Sequence, residues 1–488
     1  MARIGILRIM KILKDELITI LAQFNPWWRK EAFFDLPGWR RAIFSEVYRW
    51  VVEPPAPRAL LLSGPRQVGK TTLVLQAIDK LIKEGVPPAN ILYATFDHPI
   101  FKIAGVDAVI DAWRELEPRV EGTEYLFLDE AQFIPDFGTW TKHQVDFFKH
   151  RRIIFTGSAM PLITDTQESG VGRWHTVGIS TLSFYEYLQI KQIELLNTLK
   201  PFRISDLFDY SQGELFKISE SAQQLIGHFH EYLCRGGFPQ TALVDNVHQA
   251  QRLLREDIID KVLKRDMTAL FGVRRILELE QMFIYLCMHD GGIQDPTTLA
   301  SNLGITKPTV NNYITLLEST HLLHRLPPYG YGKDILRARY KLYLADAAIS
   351  PAILLKGKTI LEDTTALGHS AETAVFNHLL THSSTAHARY SYWLSQKHKE
   401  LDLILEREGH LIPFEVKYQS QKTSMHDIHG LIDFCRQKPG IKYAYVLTKE
   451  ANDIGPLSID ISTKIMRCPA SLFCYLFGRA ELLQEEIL

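Results

Sequence analysis

Net charge is almost missing from this chain. Its 55 lysines and arginines nearly cancel 56 aspartates and glutamates, so overall electrostatics give no sign of a nucleic-acid or membrane partner, and any such partner must be met by a local patch. Cysteine is also sparse. Cys234, Cys287, Cys435, Cys468 and Cys474 are scattered without CxxC or Cys/His metal spacing, which leaves buried thiols in a reducing cytosol as the plain reading. Long apolar runs are absent as well. Arg8, Lys11, Lys14, Asp15 and Glu16 interrupt the apolar first twenty-odd residues before a signal core or a bilayer span can form. That segment reads as an amphipathic helix, whose basic face suits either packing or contact with a membrane surface. Internal repeats and low-complexity tracts are missing too, which excludes solenoids and disordered linkers. A cytoplasmic protein without integral membrane association is the expectation.

What is present is the composition of a globular protein: 46% hydrophobic and 23% charged residues over 488 positions, too many for one hydrophobic core. Pro54, Pro55 and Pro57 punctuate the chain before the apolar run Ala59 to Leu62. Further apolar runs follow at Ile91 to Phe96, Tyr125 to Leu128 and Arg152 to Phe155, alternating with helical patterns. Such alternation predicts a parallel sheet covered on both faces. After about residue 185 the pattern turns helical, and strand-like runs return near Tyr390 to Leu394, Leu401 to Leu405, Leu411 to Val416 and Tyr443 to Leu447. The segments expected are a helical preface (1–53), a P-loop ATPase domain (54–190), a helical lid or linker (191–290), a winged-helix-like segment (291–345) and a C-terminal α/β domain (346–488).

Gly64-Pro65-Arg66-Gln67-Val68-Gly69-Lys70-Thr71 fits G-x-x-x-x-G-K-[ST] at every fixed position, between a strand and a helix. Such a loop curls backbone N–H groups around phosphate oxygens, while the helix start and Lys70 add positive charge. Thr71 is the expected Mg²⁺ ligand, and Thr72 follows it at the helix start. The helix itself is legible in Leu73, Val74, Ala77, Ile78, Leu81 and Ile82, spaced by three and four. ATP and Mg²⁺ are the ligands implied.

Tyr125-Leu126-Phe127-Leu128 ends in Asp129-Glu130, and two adjacent acids at the end of a buried strand are costly without a purpose. Asp129 suits the Mg²⁺ shell, and Glu130 suits polarising a water toward the γ-phosphate, which is why hydrolysis is expected beyond binding. Arg152 to Phe155 runs into Thr156-Gly157-Ser158, where Ser158 is either a γ-phosphate sensor or part of a common turn. Arg173, after Gly172, is either an arginine finger, in cis or in trans, or a surface salt-bridge residue.

On these residues the chain resembles bacterial and archaeal AAA-type ATPases that pair an N-terminal P-loop domain with a C-terminal domain of unknown function. The matching stretches are GPRQVGKTT (64 to 72), YLFLDEAQ (125 to 132), FTGSAMPL (155 to 162), GRWHTVGISTLSFYEYL (172 to 188), GGFP (236 to 239) and KLYLAD (341 to 346). The resemblance spans about residues 40 to 450. It implies an α/β fold: a parallel-sheet P-loop NTPase (AAA-like) core, a helical and winged-helix middle, and a small C-terminal nuclease-like domain. It implies no settled biological role.

Two further patterns bear on partners. Apolar residues from Leu299 to Leu317 outline two short helices around Gly304, as in helix-turn-helix units. At the second helix's start, Lys307, Thr309, Asn311 and Asn312 can touch DNA, or the unit can serve as an intramolecular lid. Near the C-terminus, Glu372 lies on a helix, Asp402 at the start of a strand, and Glu415-Val416-Lys417 at the end of another. The order looks like the PD-(D/E)XK nuclease pattern. Glu415 and Lys417 share a strand face, and Asp402 and Glu415 are the candidate ligands of a second Mg²⁺, with Glu372 and Lys417 beside them. The functional expectation is an ATP-driven conformational switch, related to DNA, able to form homo-oligomers or to act on another protein. An ATP-gated Mg²⁺-dependent nuclease, and a slow-turnover signalling scaffold with an inactive nuclease-like domain, stand as alternatives.

Overall fold

The computed structural model describes residues 14–31, 35–159, 172–196, 202–330, 339–386 and 388–483. The first part of the amphipathic N-terminal segment and Met160 to Leu162 lie outside the described residues. The chain divides into two compact units, Met1–Ile179 and Ser180–Leu488.

In the first unit, strands β1 (Ala59–Ser63), β2 (Ile91–Thr95), β3 (Glu124–Asp129), β4 (Arg151–Gly157) and β5 (Trp174–Gly178) form one sheet in the order β2-β3-β4-β1-β5. Every pairing is parallel. Parallel strands need cover on both faces, and the near-unbroken apolar composition of β1, β2 and β3 supplies residues that are buried throughout except for Thr95 at the end of β2. Leu73, Val74, Ala77, Ile78 and Leu81 of the helix Lys70–Lys83 are buried. Leu61, Leu92, Leu126 and Phe155 share a core with Val109 and Trp113, and Leu17 and Leu21 join it from the helical residues 14–24. That part of the N-terminal segment is therefore packed. Just beyond it, the Asn25 side chain accepts from Tyr93 N (2.7 Å) and donates to Tyr93 O (2.8 Å). Trp27 and Trp28 donate to Ile91 O. These bonds satisfy the backbone of edge strand β2, which would otherwise invite pairing with another chain.

Register is what builds the site. Leu62 lies beside Thr156 and Ser63 beside Gly157, while Leu128 lies beside Phe155. The carboxyl ends of β1, β4 and β3 therefore sit side by side, and the residues that follow them converge.

The second unit opens with the helix Phe184–Ile190, closed at its start by a capping box between Ser183 and Glu186. The expected P-loop domain ran to 190, so this helix falls on the other side of the division. Its packing explains why: Phe184 and Tyr187 pack edge-on or tilted against Phe229 and Tyr232 of the helix Gln212–Arg235. Phe184 N also donates to the buried His378 Nε2 at 2.8 Å. After the helical middle come β6 (Ile293–Gln294), helices Pro296–Leu303 and Lys307–Ser319, β7 (Leu323–Leu326) and β8 (Tyr340–Leu344). These strands make an antiparallel sheet in the order β6-β8-β7. A six-stranded mixed sheet follows from β9 (Arg389–Leu394), β10 (Glu400–Arg407), β11 (His410–Lys417), β12 (Tyr443–Thr448), β13 (Gly455–Leu457) and β14 (Lys464–Pro469), ordered β13-β14-β12-β11-β10-β9. Among the described residues no helix is long and apolar enough to cross a membrane.

Candidate functional site

Residues 64 to 69 bridge the end of β1 and the helix Lys70–Lys83. Gly69 has φ +93° and Gln67 φ +61°. Glycine adopts the first freely, whereas Gln67 is held in a left-handed conformation that costs a side chain energy and is found where a loop must present its backbone. Arg41 Nη1 braces the loop by donating to Val68 O at 3.0 Å. Gly64 is fixed for another reason: a Cβ there would stand 2.0 Å from the carbonyl oxygen of Ile179, and Ile179 is itself held by donating to Ser63 O (2.7 Å). Gly64→Ala is therefore expected to destabilise the protein by about 1–3 kcal/mol through forced backbone displacement and to weaken nucleotide binding with it. Urea unfolding checks this, and stability equal to the parent's would contradict the close approach.

Lys70 is buried, its Nζ donating to Gly64 O (2.8 Å) and Pro65 O (2.7 Å), so its charge rests over the loop that phosphates would occupy. Thr71 Oγ1 donates to Asp129 Oδ2 at 2.9 Å. The Tyr93 hydroxyl donates to the same oxygen at 2.8 Å, and the Thr156 hydroxyl donates to Oδ1. Burial, and then the Asp129 charge, push the Tyr93 phenol well above its ordinary pKa, so it stays a donor. A threonine hydroxyl against a carboxylate, on the residue next to the lysine, is the hard-oxygen donor set that Mg²⁺ takes beside phosphates. The residues fit that ion.

Glu130 takes φ +55° and its N–H donates to Thr156 Oγ1 (3.1 Å). The turn aims its carboxylate along the sheet's end toward β4: Ser158 Oγ donates to Glu130 Oε2 at 3.1 Å. Gln132 Nε2 donates to that oxygen and to Ser158 Oγ (3.2 Å). Glu130 and Ser158 are thus brought together, with Gln132 joining them. No role was assigned from sequence to Tyr93, Thr156, Gln132 or Arg41. Gln132, in YLFLDEAQ, and Thr156, in FTGSAMPL, lay within matching stretches.

Arg173 is not brought to this loop. Its carbonyl accepts from Ala59 N (2.9 Å) at the start of β1, whereas the loop leaves the end of β1, roughly 13 Å of strand away. Its Nε pairs with Asp146 Oδ1 at 2.9 Å. Of the three readings open for Arg173, an arginine finger in cis, one in trans, or a surface salt-bridge residue, its pairing with Asp146 is the geometry of the last.

In the second unit, Glu372, Asp402, Glu415 and Lys417 do gather, and Lys341 of β8 sits among them. The Lys341 ammonium lies 2.9 Å from Glu372 Oε1, 2.6 Å from Glu400 Oε1 and 3.1 Å from Asp402 Oδ1. Tyr343 OH donates to Glu372 Oε1 (2.6 Å), and Val416 N donates to Asp402 Oδ2 (2.9 Å). Lys417 Nζ pairs with Glu415 Oε1 at 2.7 Å. Burial, and then Asp402, push Glu415 up to about 8. Burial works against Asp402, but Lys341 and Lys417 outweigh it and hold its carboxyl below the usual range. Among the described residues no group of three or more His, Cys, Asp or Glu side chains is placed to hold a metal ion. Glu372 Oε1 and Asp402 Oδ1 are each bonded to the Lys341 ammonium, so the acids as arranged do not fit a second Mg²⁺. Since β8 supplies Lys341, the boundary drawn at 345/346 also cuts through one ion network.

At the helix pair, Thr306 caps the helix Lys307–Ser319 by accepting from Thr309 N (3.3 Å). Lys307, Asn311 and Asn312 are exposed, and Thr309 is half-buried.

Residues 56–188 match the family model described as an AAA domain. Residues 226–359 and 367–468 match two models described as domains of unknown function, DUF8612 and DUF4143. With the loop, the two acids and the parallel sheet already in place, residues 56–188 form a P-loop NTPase core similar to AAA domains. An uncharacterized protein of Haemophilus influenzae is 24% identical over 388 residues, covering 76% of this chain and 85% of its own length. An uncharacterized protein of Mycobacterium tuberculosis is 26% identical over 394 residues, covering 79% and 76%. Among solved structures, AMPPCP-bound DnaA from Aquifex aeolicus aligns at TM-score 0.25 and 18% identity, covering 56% of this chain and 86% of that one. PCH-2 from C. elegans aligns at 0.24 and 15%, covering 47% and 60%. Likenesses that low carry no weight for function.

Proposed function

We propose that this protein is a Mg²⁺-dependent ATP hydrolase that works as a conformational switch. The observation that carries the reading is the convergence at the carboxyl ends of β1, β3 and β4: Thr71 against Asp129, with Glu130 and Ser158 beside them. Mg²⁺, held by Thr71 and Asp129, would neutralise phosphate charge. Lys70 swings from the Gly64 and Pro65 carbonyls to the β and γ phosphates. Glu130 orients the attacking water and accepts its proton, and Ser158, bonded to Glu130, reports whether the γ-phosphate is present. The test is phosphate release from ATP by the full chain in Mg²⁺ and in EDTA. Release in Mg²⁺ alone is expected, and none in either would defeat the reading.

Arg173 acts, if at all, on a nucleotide held by another copy. Arg173→Ala is expected to leave ATP affinity unchanged and to cost at most about 1 kcal/mol of stability, the value of a half-exposed ion pair. Calorimetric titration and thermal unfolding check both, and a drop in affinity would contradict the placement.

A DNA-related role is supported by the exposed start of the helix Lys307–Ser319, with Lys307, Asn311 and Asn312 outward beside the β6-β8-β7 sheet, the arrangement of a winged helix. ATP turnover with and without duplex DNA tests it: a change in rate that Lys307→Ala removes supports contact there, and an unchanged rate argues for a lid. The six-stranded sheet, which carries Asp402 and Glu415-x-Lys417 with Glu372 of the helix Thr364–Ala386 beside them, favours a nuclease-like fold for the C-terminal part, without a cleavage step.

A further inference from the structure

We propose that Lys341 is the resident cation of the C-terminal acidic cluster, its ammonium filling the place between Glu372 and Asp402 that a divalent ion would need and so closing a latent metal site. The proposal goes beyond the ATPase reading and does not depend on it.

The ammonium has three hydrogens, and three carboxylates surround it at 2.6–3.1 Å: Glu400, Glu372 and Asp402. Its side chain is 2% exposed. Burying a lysine charge is unfavourable unless it is well paired, and here each hydrogen has an anionic partner. The acids need the cation equally. Asp402 is buried and Glu372 partly buried, and without Lys341 their charges would repel in a poorly solvated space. A divalent ion recruits such carboxylate oxygens directly, but Glu372 Oε1 is bonded to Lys341 and Tyr343, and Asp402 to Lys341 and Val416 N.

A second observation points to what the cluster would accept if opened. Glu415 is 3% exposed, and its Oε2 is buried without a hydrogen-bond partner. It is an oxygen left over inside the cluster, close enough for the Asp402 charge to act on it. The lysine and the acids also have separate origins. Lys341 comes from β8 of the three-stranded sheet, whereas Asp402 and Glu415 come from β10 and β11 of the six-stranded one. Closure therefore depends on two substructures staying together, and withdrawal of β8 would expose Glu372, Asp402 and Glu415 at once.

Mn²⁺ is the probe. The nucleotide-free full chain, Asp402→Asn, Lys341→Met and the double variant are titrated with Mn²⁺ by electron paramagnetic resonance and melted in Mn²⁺ and in EDTA. The parent is expected to show no Mn²⁺ binding that Asp402→Asn removes, and the same Tm in both media. Lys341→Met should melt lower in EDTA and recover on adding Mn²⁺, because an ion that binds only the folded state stabilises it. The double variant should lose that recovery. Asp402-dependent Mn²⁺ binding by the parent would overturn the proposal, as would a folded Lys341→Met that ignores Mn²⁺. If Lys341→Met does not fold, the comparison of the parent with Asp402→Asn decides alone. With no nucleotide present and Asp402 as the control, failure of the ATPase reading leaves these outcomes unchanged.

Discussion

Lys70→Ala is expected to weaken ATP binding by roughly ten- to a hundredfold, or more if the loop loosens, while leaving the protein folded. The estimate follows from losing a charge-assisted contact to phosphate, worth about 1.5–3 kcal/mol. The fold should survive because the Lys70 Nζ donates to the carbonyls of Gly64 and Pro65, and neutral loop carbonyls can turn to water at a cost of about 1 kcal/mol. The strand before the loop is paired on both sides, by β4 and β5, and does not need the lysine. Isothermal titration with ATP, alongside a thermal melt, measures both quantities. Parent-like affinity in a folded variant would remove the phosphate-binding assignment.

Glu130→Gln separates chemistry from binding. The amide keeps an oxygen that can accept from Ser158 and fits the same left-handed backbone as the parent residue, so the site's shape should persist. What it loses is the base. Turnover is expected to fall by about 10²- to 10⁴-fold, the usual contribution of a positioned general base, with ATP affinity within a factor of about two of the parent, a difference of only a few tenths of a kcal/mol. Single-turnover phosphate release measures the first and titration the second. If release continues at the parent rate, another group activates the water, and Glu130 serves only to hold Gln132 and Ser158.

The parts of this site that could be read from sequence were those encoded in neighbouring residues. A glycine-rich loop between an apolar strand and a helix carries its chemistry in eight consecutive positions, and two acids at a strand end announce themselves against four apolar neighbours. The partners of Asp129 are different. Tyr93 and Thr156 reach it from β2 and β4 only because the sheet's register puts those strands beside β3; no local pattern distinguishes Tyr93 from a core residue, and Thr156 stood out only as part of the turn-like Thr-Gly-Ser in FTGSAMPL. Arg173 shows the cost of a missed element. Trp174-His175-Thr176-Val177-Gly178 is a half-exposed edge strand without an apolar run, so β5 was not expected. Without β5 nothing told which end of the sheet Arg173 would occupy. Lys341 escaped for a related reason. It belongs to a strand 61 residues before Asp402, and a lysine in KLYLAD reads as an ordinary strand residue until the tertiary fold brings the acids around it. The helix Phe184–Ile190 begins within the AAA-domain match of residues 56–188 and follows the parallel-sheet strands in sequence, but it buries Phe184 and Tyr187 against a helix that begins at Gln212, a tertiary contact no local pattern announces.

The most direct test of the central claim is native mass measurement of the parent and Glu130→Gln after each is incubated with ATP and Mg²⁺ and freed of excess nucleotide. If the loop at Gly64 to Thr71 binds ATP and Glu130 drives its hydrolysis, the variant retains intact ATP and the parent retains ADP or nothing. Neither protein holding nucleotide, or both holding ADP in equal amount, would contradict it.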